Sequence, residues 1–363
     1  MAFDTGSLNN PIFIVGTSRS GTSLVKHILT AHGDIFIAGE THYFDQLRPR
    51  LTGKGVGPLV GDEEQRCQDY FLALSHRPYS RGGDPSHARI DREELADFAR
   101  RICAGGDGYF EAFCRLSRKL EFGASPEPSR WGEKTPRHVF RLREILTRYA
   151  NAQVIYLLRD PRAVVASYRD WNEKRLDSIP TSDNAVALIA EARRVQASYH
   201  PAIIALMWKA AVNASERARQ EFGDQRVRIL RYEDLTLDPR RTLTELTAWL
   251  GVGFSESMMD VPNNSSYRHY DRHSRISPES VDRWRAKLSD EEIAIVDFCT
   301  GSALIRSGYS PAAPTMSVSA AAKLGAGLVR SSARAAWANR ARMGENPLLY
   351  IARRALPLVK RPA

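Results

Sequence analysis

Ile12 to Val15 form an uncharged run of β-branched and aromatic residues bounded by Pro11 and Gly16, and Leu24, Val25, Ile28 and Leu29 then recur at helical spacing. The pair predicts a short buried strand running into an amphipathic helix. The same change of period repeats along the chain. Asp34–Ala38 reads as extended, Asp62–Ser75 and Asp91–Ile102 as helices opened by acidic residues that suit a helix N-terminus, and Tyr109–Leu120 as a further helix. Ser129–Pro136 is a short strand stopped by its proline, with a helix over Arg137–Tyr149 after it. Gln153–Leu158 is the clearest buried strand, and the helix that follows carries Pro161 in its first turn. Residues 183–221 read as mostly helical with a break near Pro201, Arg226–Arg231 as a strand, and Asp238-Pro239 as the start of a helix ending at Leu250-Gly251. Residues 48–61 and 76–90 are Gly/Pro-containing loops. Strands alternating with helices predict an α/β fold, a central parallel sheet flanked by helices on both faces. In such sheets ligands sit beyond the carboxyl ends of the strands, where the polar clusters of this chain fall.

The first of those ends is Gly16-Thr-Ser-Arg-Ser-Gly21-Thr-Ser23, a turn of small residues between strand and helix. Such a turn aims backbone N–H groups and the positive end of a helix dipole at one spot, which suits a phosphate. A loop for nucleoside triphosphates needs Gly, four residues, then Gly-Lys-Ser/Thr, with the lysine on the β and γ phosphates. Gly16 and Gly21 fit, but Thr22 and Ser23 follow where the lysine would stand. The loop is therefore suited to a nucleotide with a single 5'-phosphate; without a ligand it is a Gly/Ser-rich turn.

Composition changes the picture only at the end of the chain. The net charge of +10 looks like a nucleic-acid signal until it is located. From Val318 onward nine Lys and Arg residues stand against Glu345 alone, so the body is near neutral. The four cysteines, at 67, 103, 114 and 299, have no CxxC spacing and read as reduced structural thiols rather than a zinc site. The first ten residues lack a basic and apolar leader, and no run reaches the ~18 apolar residues of a spanning helix, so the expectation is a cytoplasmic protein.

Five segments, in order, carry the chemistry: Arg19-Ser-Gly-Thr-Ser23, Gly39-Glu-Thr41, Glu133-Lys-Thr-Pro136, Arg159-Asp-Pro-Arg-Ala-Val-Val-Ala-Ser167 and Arg231-Tyr-Glu-Asp-Leu235. Together they resemble the sulfotransferases that use 3'-phosphoadenosine 5'-phosphosulfate (PAPS), over roughly residues 11 to 310, in the branch of the tyrosylprotein and bacterial glycan or lipid enzymes. The resemblance implies a P-loop NTPase-like sulfotransferase fold, PAPS as donor, a hydroxyl acceptor (glycan, glycolipid, phenol or tyrosine) and no metal. It places Ser20, Gly21, Thr22 and Ser23 on the donor's 5'-phosphate, Arg159 and Ser167 on its 3'-phosphate, and Tyr232 near the nucleotide. An arginine offers an oxyanion a planar fork of donors. Glu40 matches the branch's general base, which calls for a carboxyl pKa raised by burial. Arg19 and Lys134 match residues that stabilise charge on the sulfate and leaving phosphate. Ser266 and Arg275, in a segment resembling one that closes over the donor, are further candidates. Trp171 departs from the pattern, standing where the tyrosylprotein enzymes have a basic nucleotide contact.

Each residue has a plainer reading. Glu40 could open a helix, and His42 is the rival base, since cytosolic sulfotransferases use histidine. Lys134 could be a surface lysine, and Arg159-Asp160 an ion pair with Asp160 capping a helix. Glu233 and Asp234 look like a metal pair but read as capping or scaffold, because nothing completes a ligand set. The expected organisation is a sulfotransferase domain over 1–310 and a basic, Ala-rich helical extension over 311–363. Residues 318–363 suit peripheral contact with an anionic membrane surface, the inner face of the membrane for a cytoplasmic protein; a solvated extension or a helix packed on the body are the alternatives. A P-loop kinase or ATPase shares the sheet but needs the absent lysine, and no nucleic-acid recognition motif appears.

Overall fold

The computed structural model describes residues 10–75, 90–123, 128–174, 199–261 and 276–314, with isolated positions between 319 and 337. Five strands, β1 (Ile12–Gly16), β2 (Ile35–Ala38), β3 (Arg130–Lys134), β4 (Gln153–Leu158) and β5 (Val227–Arg231), form one parallel sheet in the order β2-β3-β1-β4-β5. The expected central parallel sheet flanked by helices is what the chain forms. In β1 the side chains alternate between two apolar layers, Ile12 and Ile14 on one face and Phe13 and Val15 on the other. A strand covered on both faces reads as the continuous apolar run seen in its sequence.

Helix α1 (Thr22–Ala31) follows β1 and buries Leu24, Val25, Ile28 and Leu29 against the isoleucine face. After β5 come α9 (Tyr232–Leu237) and α10 (Pro239–Leu250), whose Leu235, Leu243, Leu246 and Leu250 join that layer. The other face carries α2 (Tyr43–Gln46), α3 (Glu63–Ser75), α4 (Arg92–Ile102), α5 (Gly106–Phe122), α6 (Leu142–Arg148), α7 (Pro161–Lys174), α8 (Pro201–Phe222) and α11 (Asp290–Thr300), with the short α12 (Ser302–Arg306) after them. Phe13, Phe44, Phe110 and Trp131 build an edge-and-face cluster beneath β1 in this layer. The strands that neighbour β1, β3 and β4, thus feed elements on the face opposite α1, which makes the carboxyl end of β1 a topological switch point, the place where such sheets take ligands.

Several boundaries differ from the sequence reading. The segment after β3 begins as a 3-10 turn over Pro136–Arg141, with His138 edge-on to Phe44, and only Leu142–Arg148 is α-helix. The break expected near Pro201 falls just before it: residue 201 is the first of α8, where a missing N–H is no loss. Helix α5 opens three residues before Tyr109, since Gly106 and Gly108 pack against neighbouring chain too tightly for any Cβ. Residues 183–198 and 76–89, and most of 315–363, lie outside the described residues. All four cysteines are free. No described helix is long and apolar enough to cross a membrane.

Candidate active site

The loop after β1 turns sharply. Arg19 has φ +74° and Gly21, the N-cap of α1, has φ +101°. The second is a glycine for a steric reason as well, because a Cβ there would come within 2.6 Å of the Tyr232 ring. Tyr232, at the carboxyl end of β5, is buried and lies under the guanidinium of Arg159, 4.3 Å from ring centroid to Cζ. Arg159, just past β4, donates to the carbonyl oxygens of Arg19 (3.0 Å) and Ser280 (2.9 Å). Arg19 Nε in turn donates to Ser167 Oγ on α7 at 3.2 Å. Residues from Arg19 to Ser280 therefore meet at one spot. Two buried donors remain without a hydrogen-bond partner there, Ser20 Oγ and Arg159 Nε. Unpaired buried donors are costly, about 1–3 kcal/mol each, and together with an arginine that no described carboxylate neutralises they fit an anion.

Across β1, the ends of β2 and β3 build a different arrangement. Register pairs Ala38 with Glu133, so the turn Gly39-Glu40-Thr41 rises beside the last residues of β3. Glu133 is completely buried and accepts from Thr41 N (3.0 Å), Thr41 Oγ1 (2.9 Å) and Thr135 Oγ1, and lies 3.1 Å from His138 Nδ1. Tyr70 Oη donates to the Thr41 carbonyl at 2.6 Å. Thr41 is thus held at its N–H, its hydroxyl and its carbonyl, and the chain leaves it through His42 at φ +55°, a sparsely populated conformation for a residue with a side chain. This grip presents Glu40 to Lys134, with Nζ 2.5 Å from Oε1, while His42 Nε2 lies 3.4 Å from Oε2.

A model described as the sulfotransferase family matches residues 11–256, from the first residue before β1 to the turn after α10. The chain belongs to the sulfotransferase family. Among curated relatives, carbohydrate sulfotransferase 5 of Mus musculus is 26% identical over 324 residues, covering 82% of this chain and 80% of the relative. Nodulation protein NoeE of Sinorhizobium fredii is 23% identical, covering 85% of this chain and 68% of the relative. Among solved structures, a sulfotransferase domain from the curacin biosynthetic pathway aligns over 84% of this chain and 99% of that domain, at 17% identity and a TM-score of 0.47.

In this sulfotransferase the sequence-chosen residues fall into two groups flanking the loop. Arg19, Ser20, Gly21, Thr22, Arg159, Ser167 and Tyr232 cluster over the β1–β4–β5 ends, with Ser23 half-buried one residue into α1. Glu40 and Lys134 meet over β2–β3. Ser266 and Arg275, and the side chain of Trp171, lie outside the described residues. One expectation is corrected. The Glu40 carboxyl was expected to have a raised pKa; burial does push it up, but the Lys134 ammonium and His42 outweigh that and hold it well below the usual carboxylate range. Glu40 is ionised in the free enzyme and tightly paired. Asp160 caps α7 as expected, with Oδ1 accepting from Arg162 N at 2.8 Å.

Four residues of the site carry no separate signal in the sequence reading. Glu133 was visible only as part of the Glu-Lys-Thr-Pro segment, although a carboxylate in a strand buried on both faces asks for an internal partner. Thr41 and Thr135 flank the functional residues and carry no separate signal. Ser280, whose carbonyl holds Arg159 and whose Oγ lies 2.6 Å from Tyr232 Oη, comes from a 3-10 turn inside the segment 275–284 that resembles one closing over the donor, but it was not singled out there.

Proposed function

We propose that this sulfotransferase moves a sulfuryl group from PAPS to a hydroxyl of a carbohydrate, with Glu40 as general base. The observation that carries the reading is the meeting of the two groups around one loop: a carboxylate–lysine pair on one side of β1 and an arginine-rich anion cradle on the other. Arg159 and Ser167 hold the donor's 3'-phosphate, and the start of α1 holds its 5'-phosphate through backbone N–H groups and the hydroxyls of Ser20, Thr22 and Ser23. Sulfuryl transfer, like phosphoryl transfer, depends on in-line positioning and on cations at the developing charge, which Arg19 and Lys134 supply. The new S–O bond forms to the acceptor oxygen as the S–O bond to the 5'-phosphate breaks; the hydroxyl proton passes to Glu40, and 3'-phosphoadenosine 5'-phosphate (PAP) leaves.

The Glu40–Lys134 pair fits this order of events. Lys134 has one anion, Glu40, before the donor binds and a second, the sulfate, afterwards. Sharing the lysine with the donor relaxes its hold on Glu40, so the carboxyl pKa climbs toward the range a base needs when a hydroxyl is in place. The carbohydrate class rests on the family relatives named carbohydrate sulfotransferase. Incubation with radiolabelled PAPS and a panel of glycans, phenols and tyrosine peptides tests the reading. Label transferred to glycans supports it; label on peptides or phenols alone removes the carbohydrate assignment, and no binding of PAP removes the donor.

A further inference from the structure

The donor group is tied to chain that lies beyond the matched family region. Glu233, one residue past Tyr232, is nine-tenths buried and uses both carboxylate oxygens: Oε1 accepts the backbone N–H of Asp160 at 2.9 Å, and Oε2 accepts Tyr309 Oη at 2.9 Å. The N–H of Asp160 belongs to the peptide that follows Arg159, and the carbonyl of that same peptide accepts Trp208 Nε1 at 2.8 Å. The peptide carrying Arg159 into α7 is thus clamped at both polar atoms by buried side chains.

The segment that supplies Tyr309 is itself sewn to the strand ends. Arg231 donates to the Ser307 carbonyl and stacks on the Tyr309 ring at 4.5 Å. Gly308, φ +79°, lets the chain reverse where a Cβ would come within 3.1 Å of the Arg231 guanidinium. Arg162, paired with Asp160 at 2.7 Å, donates to the Ser310 carbonyl at 3.0 Å, and Asp297 accepts the N–H groups of Ala312 (2.7 Å) and Ala313 (3.1 Å). A carboxylate buried so deeply and satisfied by one backbone amide and one phenol has, among the described residues, no charge partner that would explain it as an ion pair. Its hydrogen bonds fix the placement of a peptide.

We propose that Glu233 is a positioning residue for the donor's 3'-phosphate, acting through the Arg159–Asp160 peptide, and that residues 307–313 belong to the donor site as its outer brace. The inference rests on Arg159 holding that phosphate. Arg159 has only neutral partners, two carbonyls and the Tyr232 ring, so its aim depends on where its backbone is held.

Calorimetric titration of PAP into the full chain tests it. Glu233→Ala should weaken PAP binding about tenfold or more. Glu233→Gln should restore most of it, since the amide oxygen still accepts from Asp160 and the amide N–H₂ can donate to Tyr309 Oη. Tyr309→Phe, which removes one hydrogen bond, should weaken binding about three- to tenfold. In steady-state assays the loss should fall on KM for PAPS rather than on kcat. If Glu233→Ala does not fold, Tyr309→Phe carries the test. Wild-type affinity in folded Tyr309→Phe or Glu233→Ala overturns the positioning role while leaving the donor assignment standing, whereas failure of the wild type to bind PAP overturns the donor assignment itself.

Discussion

The two halves of the site, over β2–β3 and over β4–β5, treat charge in opposite ways. In the base half each carboxylate is met from inside the protein: Glu40 pairs with Lys134, and Glu133 accepts from Thr41 and Thr135 and lies against His138. In the donor half Arg159 is held by backbone carbonyls and an aromatic face, none of which cancels its charge. A pair that neutralises itself is stable without ligand and must be disturbed to react. A cation braced by neutral groups keeps its full charge for an incoming anion. The loop after β1 stands between the two, and Arg19 touches the donor half through both its side chain and its carbonyl.

That contrast can be broken from either side. Lys134→Ala should lower kcat by about 10²–10³-fold through lost stabilisation of the leaving group. It should also move the acid limb of kcat/KM upward in pH, because Glu40 must be ionised to act and loses the cation that keeps its pKa low. An acid limb that stays in place would mean Glu40 is not the group titrating. Arg159→Lys keeps the charge but loses the fork and the stacking on Tyr232; PAP affinity should fall about 10–100-fold with a smaller effect on kcat. Equal losses in kcat and affinity would erase the division between the halves.

Smaller effects sharpen it. Glu133 is held below its ordinary value of 4.5: burial pushes its pKa up, but His138 and the hydrogen bonds from Thr135 and Thr41 outweigh burial. A carboxyl with a depressed folded pKa contributes stability above its unfolded value and loses it as pH falls through the folded one. The Tm difference between wild type and Glu133→Gln should therefore be largest near neutrality and shrink below about pH 4.5. A constant gap across pH would place the Glu133 contribution in packing rather than charge. Ser167→Ala should cost only about three- to tenfold in PAP affinity, the scale of one hydrogen bond, measured by calorimetry.

The donor half was the more legible in sequence. A glycine turn without its lysine, and Arg159 eight residues before Ser167 across the start of one helix, are local patterns, and local patterns survive in a linear reading. The base half depends on register: Glu133 reaches Thr41 because β2 pairs with β3, a contact across 92 residues that periodicity cannot reveal. The direction of the Glu40 pKa failed for the same reason, since the Lys134 contact joins residues 94 positions apart. Strands β1, β2 and β4 were readable from apolar runs, whereas β3, Arg130–Lys134, carries three charged residues and was marked mainly by the proline after it.

The central claim is that Glu40 acts in transfer and not in holding the donor. Glu40→Gln, with transfer from radiolabelled PAPS and PAP affinity measured on one preparation, tests it most directly. The expected result is a loss of turnover of about 10²–10⁴-fold with PAP binding within about twofold of wild type. Full turnover in a folded Glu40→Gln protein would contradict the account.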